Sequence, residues 1–311
     1  RVRELRPDLL TLDIEMPEMD GLTVLDALKQ AGESVSVIVV SALTRRGVLR
    51  ASAAAIAAPF IIRGRYPVFA QSGATYSARA IELVRESLVV DMLSPMALGP
   101  SEPRWMRDPD TFTGADLQRF KDSGITSFHI ARGMAGPDAY ETTFWFLSGF
   151  NGFMAARSDA FTRIDSVDDF ARAKSAGKIG LLLGTQNSEH FRTPDDVAAF
   201  HALGQRVSQL TYNARNLIGN GSTERRDEGL SDYGIAIVQK MNAVGMAVDV
   251  SHCGDRTSLD AFEASKTPVL ITHSNARALN PGHPRCKPDE VILACGKSGS
   301  ATNTCKMVIQ Q

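Results

Sequence analysis

The sequence has no membrane-length hydrophobic run and no excess of charge of one sign. A transmembrane helix needs about 20 predominantly apolar residues, and no uninterrupted apolar stretch of this 311-residue chain is that long. Its 34 basic and 35 acidic residues give a formal net charge of −1, which argues against a nucleic-acid or membrane-surface partner. With 43% hydrophobic residues, the chain can form one large domain or two ordinary ones.

Cysteine is also scarce, and its spacing excludes two common uses. The four cysteines lie in the last fifth of the chain, and none belongs to a Cys-x-x-Cys pair. A zinc knuckle needs such pairs, and a disulfide framework needs more regular spacing. We therefore expect free thiols at Cys253, Cys286, Cys295 and Cys305.

Residues 1–46 form the first of three pieces. LLTLDI indicates a strand, Leu22–Lys29 a short helix, and SVIVVSAL a second, buried strand. With its DIEMPEMDG and VVSALT stretches, this piece resembles a response-regulator receiver domain of the chemotaxis methylesterase branch. The resemblance implies that Asp13 is a phospho-acceptor and Ser41 a switch hydroxyl. Phosphoryl transfer also needs Mg²⁺, further carboxylates and a lysine, so we expect only a partial receiver-like fragment.

Residues 47–77 form a second piece that follows the twin arginines Arg45 and Arg46. An alanine-rich apolar stretch comes next, and Val68-Phe69-Ala70 precedes Gln71. This arrangement resembles a twin-arginine export signal and its linker. The alternative is an ordinary alanine-rich helix, which the composition favours on propensity alone. If the signal is read we expect a periplasmic or exported protein, and otherwise a cytoplasmic one.

Residues 78–311 alternate apolar strands with amphipathic helices. Most of the helices open on Ser, Thr or Asp, and several close on Gly, as helix-end chemistry prefers. The alternation predicts parallel β/α units, and hence an α/β fold of the (β/α)₈ TIM-barrel type. Six strands can be counted where a closed barrel needs eight, so we expect a barrel truncated at its C-terminus with two exposed sheet edges. The six are SLVVDML, ITSFHIA, KIGLLLG, RVSQLTYN, MAVDVSH and PVLITHS.

Two of these predicted strands end in histidine. His252 closes MAVDVSH and His273 closes PVLITHS, with one helix between them. In a parallel barrel both residues lie at the C-terminal rim, on strands about 4.8 Å apart. Two imidazoles at matching heights can bind one metal ion. The alternative is two unrelated polar residues at strand ends.

The stretch from GLSDYG to HPRCKPDEVI carries a second resemblance. Its order is a helix, a strand ending SH, a helix, a strand ending THS, and then HPRCKPD. This order resembles the membrane (renal) dipeptidase family, peptidase family M19, over about residues 80–293. The resemblance implies a two-zinc barrel hydrolase, with His252 and His273 as ligands of one zinc and Arg285 bound to the substrate carboxylate. A guanidinium suits that task because it donates two parallel hydrogen bonds.

The sequence departs from the family at several site positions. Leu93 and Pro95 occupy the places of the family's first zinc pair, and neither can bind zinc. Gln186 occupies the place of the glutamate that bridges the two metals. Tyr212 replaces a histidine that steadies the reacting carbonyl, and its phenol can still donate a hydrogen bond. We retain Tyr212 and Gln186 as candidate catalytic residues.

A single open zinc site needs a third protein ligand besides the two histidines. Asp91, Glu189 and Asp249 are the candidates. Asp249 lies three residues before His252, so strand alternation places it on the opposite face, towards a helix or solvent. We therefore predict His252, His273 and Asp91 as the metal ligands.

Three hypotheses follow for the function. The first is a zinc hydrolase, holding one or two Zn²⁺ ions, that cleaves a dipeptide or related amide. The second is a barrel that binds a small peptide-like ligand without cleaving it, and the third is a receiver-linked signalling protein. We expect a small peptide-like partner, no nucleic acid and no integral membrane span, and we leave a homodimer open.

Overall fold

The computed structural model shows a mostly parallel sheet that curves into a nearly closed barrel with helices around it. The strands of this sheet lie in the order 306–309, 270–274, 247–249, 205–209, 179–185, 127–132 and 90–94, and a further strand, 161–163, pairs with residues 179–181. Every pairing within this sheet is parallel. The structure describes residues 9–13, 36–40, 66–67, 75–76, 78–94, 104–278, 280–295 and 306–309.

Twelve strands are described, and they are numbered here in chain order. The core strands are short and β-branched or leucine-rich, as parallel strands buried on both faces usually are. The strands are β1 Leu9–Asp13, β2 Ser36–Val40, β3 Tyr66–Pro67, β4 Thr75–Tyr76, β5 Val90–Ser94, β6 Ser127–Arg132, β7 Phe161–Arg163, β8 Ile179–Thr185, β9 Gln205–Gln209, β10 Ala247–Asp249, β11 Leu270–Ser274 and β12 Lys306–Ile309.

Eight α-helices are described between these strands, with two short 3₁₀ helices at Arg104–Met106 and Pro109–Thr111. None of the described helices combines the length and apolarity needed to cross a membrane. The helices are α1 Ala78–Glu86, α2 Gly114–Asp122, α3 Ala139–Ala156, α4 Val167–Ser175, α5 Asp196–Ala202, α6 Asp232–Val244, α7 Asp255–Ala264 and α8 Asp289–Cys295.

Helix-end chemistry places several of these helices where the sequence predicts them. Thr113 and Ser166 cap α2 and α4 through reciprocal bonds with an aspartate three residues on. Ser231 accepts a hydrogen bond from the Gly234 amide at the start of α6. The same helix ends on Gly245, whose positive φ of 81° favours glycine.

The sequence also favours Thr193 as the cap of α5 and Asp255 as the cap of α7, and both predictions are wrong. Asp195, not Thr193, precedes α5, and the Asp196 side chain accepts from the Arg192 and Thr193 amides. Helix α7 begins at Asp255, and its first amides donate to Asp227, which lies in a loop 28 residues earlier. A cap supplied by a distant loop leaves no local signal in the sequence.

All six predicted barrel strands are confirmed, and the same sheet contains two strands that were not predicted, β7 and β12. Strand β7 is only three residues long, and β12 lies near the end of the chain. The described edges are also covered more than expected, because β1 lies beside β12 and β2 beside β5, with Cα atoms within 8 Å. The expectation of two fully exposed sheet edges is therefore wrong.

The expectation of four free thiols also needs correction. Cys253 and Cys286 are free and buried, but Cys295 at the end of α8 is disulfide-bonded. Spacing along the chain could not show this, because a disulfide depends on the distance between two side chains in the folded protein.

Candidate functional site

The two strand-end histidines meet at the C-terminal ends of β10 and β11, as predicted. His252 Nε2 lies 2.8 Å from His273 Nε2, and the ring centroids are 4.8 Å apart. Both side chains are buried. They are neighbours because β10 and β11 pair in parallel, with Asp249 opposite Leu270.

The outer nitrogen of each imidazole faces an oxygen atom. His252 Nδ1 lies 2.7 Å from the amide oxygen of Asn213, and His273 Nδ1 lies 2.8 Å from the Thr272 hydroxyl. A proton on Nδ1 donates to the Asn213 oxygen and leaves the His252 Nε2 lone pair free. Arg285 Nη1, which can only donate, lies 3.1 Å from that same Nε2. Because Arg285 can only donate, this contact indicates that His252 Nε2 is an acceptor and that the ring proton lies on Nδ1.

Burial keeps both imidazoles uncharged. It is the largest cause that lowers the pKa of His252 to about 2, and repulsion from His273, Arg285 and Lys287 adds to it. Burial likewise lowers the pKa of His273 to about 4, although the Asp249 carboxylate acts in the opposite direction. Metal binding requires neutral imidazole, and both rings meet this requirement at pH 7.

Tyr212 lies against the histidine pair. Its ring stacks on His252 with centroids 4.3 Å apart and an interplanar angle of 20°. The residue is 41% exposed, so its phenol lies at the mouth of the site. Gly133 allows this position, because a side chain there would meet the Tyr212 ring at 3.3 Å. Tyr212 and Arg285 therefore both contact His252.

Gln186 and Glu189 are occupied by other contacts. The Gln186 amide nitrogen donates to the Ala131 carbonyl at 3.2 Å. Glu189 accepts from the Gly136 amide at 2.7 Å and from Asn187 Nδ2 at 3.0 Å. No contact between either side chain and the histidines is found among the described residues. Glu189 therefore anchors the loop after β6.

Asp91, the third ligand we predicted, is not brought to the histidine pair. Its carboxylate accepts from the Leu93 amide at 3.0 Å, and burial raises its pKa to about 7. Within the described part of the chain, no three His, Cys, Asp or Glu side chains are placed to hold one metal ion. The described residues therefore supply two of the three protein ligands that a single open zinc site takes.

The prediction that Asp249 faces a helix or solvent is wrong. Asp249 is 1% exposed and its carboxylate accepts from Ser251 and Thr272, next to the histidine pair. Strand alternation fails here because β10 ends at Asp249 and the chain turns before His252.

Sequence reasoning missed Asn213, which orients His252. Asn213 has a positive φ of 62°, a conformation in which Asn is several-fold enriched among non-glycine residues. Gly221 packs against it so closely that an added Cβ would lie 1.9 Å from the Asn213 carbonyl oxygen. The only available signal was an Asn directly after a strand in a glycine-rich region.

A polar cavity of about 420 Å³ lies beside the site. It is formed by the loop between β9 and α6, and the Ser222 amide of that loop donates to the His252 carbonyl at 2.9 Å. The charged lining suits a polar ligand. The lining residues are Arg215, Asn220, Glu224, Arg225, Arg226 and Glu228.

The phospho-acceptor and export-signal predictions concern residues that lie mostly outside the described part of the chain. Asp13 ends β1 and pairs in register with Val40, as expected of a strand-end residue, but its side chain and Ser41 lie outside the described residues. The same holds for Arg45, Arg46 and Pro95. The phospho-acceptor and export-signal predictions therefore stay predictions, as does the division of the chain into three pieces.

Two family models match the chain, each over a different part. The model for membrane dipeptidases, peptidase family M19, matches residues 77–304, which is further along the chain than we expected from the quoted motifs. The model for response regulator receiver domains matches residues 1–62.

Individual relatives agree with the first match. Dipeptidase tcpJ of Claviceps purpurea is 34% identical over 142 residues, which cover 45% of this chain and 33% of that protein. Dipeptidase aclJ of Aspergillus oryzae is 37% identical over 121 residues, covering 38% and 28%. The aligned part thus spans about a third of the length of these relatives.

Solved structures share the fold. An amidohydrolase from Pseudomonas aeruginosa superposes with a TM-score of 0.62 at 29% identity, covering 74% of this chain and 64% of its own. A metallo peptidase from Rhodobacter sphaeroides, solved with a phosphinate mimic of the dipeptide L-Ala-D-Ala, gives 0.59 at 18% identity, covering 68% and 71%. From the M19 match over most of its length, we conclude that this chain belongs to the membrane dipeptidase family, peptidase family M19.

Proposed function

We propose that this chain is a metal-dependent hydrolase that cleaves a dipeptide or related amide with one Zn²⁺ ion at His252 and His273. One observation carries the proposal: the two Nε2 atoms converge at 2.8 Å with their Nδ1 atoms turned to oxygen partners. When both rings carry their proton on Nδ1, the two Nε2 lone pairs converge, and one cation can bind both. The family match supports the choice of substrate class.

A Zn²⁺ ion would supply Lewis-acid chemistry, which lowers the pKa of water and polarises a carbonyl. Arg285 lies within hydrogen-bond distance of His252, so its guanidinium can bind the substrate carboxylate beside the reacting bond. Tyr212 stacks on the same imidazole and is partly exposed, so its phenol can donate a hydrogen bond to the carbonyl oxygen. Together they would orient a dipeptide over the histidine pair.

The test is zinc content together with dipeptide hydrolysis. The purified full chain is dialysed against Zn²⁺, its bound metal is measured, and release of free amino acids from a panel of dipeptides is followed. We expect about one Zn²⁺ per chain and hydrolysis that is lost on chelation and restored by Zn²⁺. A chain that binds no zinc, or that hydrolyses equally well in chelator, contradicts the proposal.

A second candidate is a barrel that binds a peptide-like ligand without cleaving it. Gln186 favours it, because an uncharged amide bonded to Ala131 stands where the family carries its bridging carboxylate. Catalysis then lacks a second metal, while Arg285 and Tyr212 still form a ligand site. Calorimetry with dipeptides separates the two candidates, since this one predicts heat of binding without product.

Two further roles remain proposals on sequence grounds. Linkage of the barrel to a receiver switch at Asp13 would be supported by phosphorylation of the full chain with a small phosphodonor. Export through the twin-arginine segment would be supported by recovery of the full chain from the periplasm, and a lysine pair at Arg45 and Arg46 is the matched control.

A further inference from the structure

A buried carboxylate lies directly behind the histidine pair. Asp249 is 1% exposed, and Thr272, beside it, is also 1% exposed. Asp249 Oδ1 accepts from the Ser251 amide at 3.0 Å, the Ser251 hydroxyl at 2.6 Å and the Thr272 amide at 3.2 Å. Asp249 Oδ2 accepts from the Thr272 hydroxyl at 2.7 Å. In every one of these contacts a carboxylate oxygen of Asp249 accepts from a neighbouring donor.

These contacts determine which way the Thr272 hydroxyl points. A hydroxyl has one proton, and Thr272 donates its proton to Asp249 Oδ2. The Thr272 oxygen can then only accept from His273 Nδ1, which lies 2.8 Å away. His273 must therefore carry its proton on Nδ1, and its Nε2 carries a lone pair that faces His252.

Ser251 supports the same arrangement without touching either imidazole ring by hydrogen bond. Its hydroxyl donates to Asp249, and its oxygen accepts from the His273 amide at 3.1 Å. The Ser251 and Thr272 oxygens lie 3.1 Å apart, and since both protons go to the carboxylate, neither hydroxyl is free to donate to His273.

We infer that Asp249 and Thr272 are positioning residues, which hold His273 in the Nδ1-protonated form and so direct its Nε2 lone pair towards a cation shared with His252. Without this control the His273 proton can move to Nε2 and donate to His252, which would close the pair to metal. The effect on zinc rests on the proposed function, whereas the protonation of His273 in the metal-free chain does not.

The first experiment measures that protonation directly. Two-bond ¹H–¹⁵N correlation spectra of the metal-free full chain distinguish the two neutral forms of each histidine, and the His273→Gln variant assigns its signal. We expect the His273 proton on Nδ1 at pH 7. A proton on Nε2 overturns the inference, whatever the variants do.

The second experiment compares two substitutions of Thr272. Thr272→Val removes the hydroxyl and Thr272→Ser keeps it, while both remain small enough for a buried strand. We expect Thr272→Val to move the His273 proton to Nε2 and to weaken zinc binding about 10- to 100-fold, as loss of an outer-shell partner typically does. Thr272→Ser should keep the wild-type protonation and stay within about twofold of wild-type affinity.

Asp249→Asn keeps the shape of the side chain and replaces one acceptor oxygen by a donor amide nitrogen. Oδ1 meets two backbone amides, so the new amide nitrogen fits better at the Oδ2 position, where it donates to Thr272. The Thr272 hydroxyl can then donate to His273 Nδ1, which drives the ring proton to Nε2. Ser251→Ala is a comparison variant: it removes one hydrogen bond to Asp249 and the acceptor of the His273 amide, but it leaves the Thr272 contact intact, so the ring proton should stay on Nδ1.

The outcomes separate this inference from the proposed function. If the wild-type chain binds no zinc in competition with a chromophoric chelator, the proposed function fails, and the spectra still decide the positioning role. If Thr272→Val folds, binds zinc like wild type and keeps the Nδ1 proton, the inference is overturned. If Thr272→Val does not fold, Asp249→Asn and the wild-type spectrum give the same decision.

Discussion

The two sides of the barrel rim differ in how completely they are built. At the ends of β10 and β11, two histidines converge and each has an oxygen partner for its outer nitrogen. At the ends of β5 and β8, Leu93 and Gln186 occupy the places where the family carries metal ligands, and Gln186 bonds to a backbone carbonyl. One side of the rim therefore carries a histidine pair with supporting hydrogen bonds, and the other side carries residues that the resemblance does not predict.

On the β10–β11 side, neighbouring side chains hold the two histidines in place. His252 is held through Asn213 and Gly221, and His273 through Thr272 and Asp249. Such outer contacts fix ring orientation and protonation. The four predictions that follow test whether function resides on the β10–β11 side alone.

Removing a histidine should have the largest effect. We expect His273→Ala to weaken zinc binding more than about 100-fold, because loss of an outer-shell partner alone costs about 10- to 100-fold, and to abolish hydrolysis. Chelator competition and a dipeptide assay measure the two effects. Zinc affinity close to wild type in this variant would show that zinc binds elsewhere, and the β10–β11 side would then not be the metal-binding side of the rim.

Arg285→Ala should separate substrate binding from metal binding. Loss of a charge-assisted hydrogen bond costs about 1.5–3 kcal/mol, so we expect KM for dipeptides to rise by about one to two orders of magnitude. Zinc affinity should rise or hold, because a positive charge 3.1 Å from His252 Nε2 is removed. Arg285→Lys, which keeps the charge without the planar fork, should lie between. A lower zinc affinity in Arg285→Ala would contradict the assigned role.

Acid should destabilise the fold. Burial lowers the pKa of His129, His190, His252 and His273 below 6.5, so between about pH 6.5 and 4 the unfolded chain binds protons that the folded chain does not. Each such group lowers the free energy of unfolding by up to about 1.4 kcal/mol per pH unit as the pH falls. Asp91, with its pKa raised to about 7, has the opposite effect and offsets about one histidine.

Urea unfolding of the full chain at pH 7 and pH 5 measures this dependence. We expect the free energy of unfolding to fall on acidification, and His190→Gln to reduce the slope by about one proton. A chain that is equally or more stable at pH 5 would show that these histidines are not buried in the neutral form.

Gln186→Ala should have the smallest effect on metal. Because the Gln186 amide bonds to Ala131 and not to the histidine pair, we expect zinc affinity within about twofold of wild type. The same variant loses one hydrogen bond worth about 1 kcal/mol, which thermal unfolding can detect. A tenfold loss of zinc affinity would place Gln186 in the metal site, and both the β5–β8 and the β10–β11 sides of the rim would then contribute to metal binding.

Most of the barrel could be predicted from the sequence because its signals are local. Apolar runs locate the six strands, and Thr113, Ser166 and Ser231 mark helix starts through bonds to residues within three positions. Strand β7 was missed because three residues carry too little pattern. The α7 cap was assigned wrongly because its acceptor, Asp227, comes from another loop.

The residues of the candidate site also divide into those that could be predicted from the sequence and those that could not. His252 and His273 could be found because parallel strands deliver their last residues to one rim. Asp249 was assigned to the wrong face because alternation stops where β10 ends. Asp91 satisfied the chemistry of a third ligand, but a strand-end position does not determine whether a carboxylate reaches a metal.

The sequence by itself determined the parallel β/α order, the family, and the meeting of two imidazoles, because each depends on periodicity and on contacts along short segments. Only the tertiary structure decided how the Asp249 carboxylate, the Thr272 hydroxyl and the Asn213 amide orient those imidazoles. A hydrogen bond between side chains is set by distances of a few tenths of an ångström across different strands and loops, and no one-dimensional pattern encodes them.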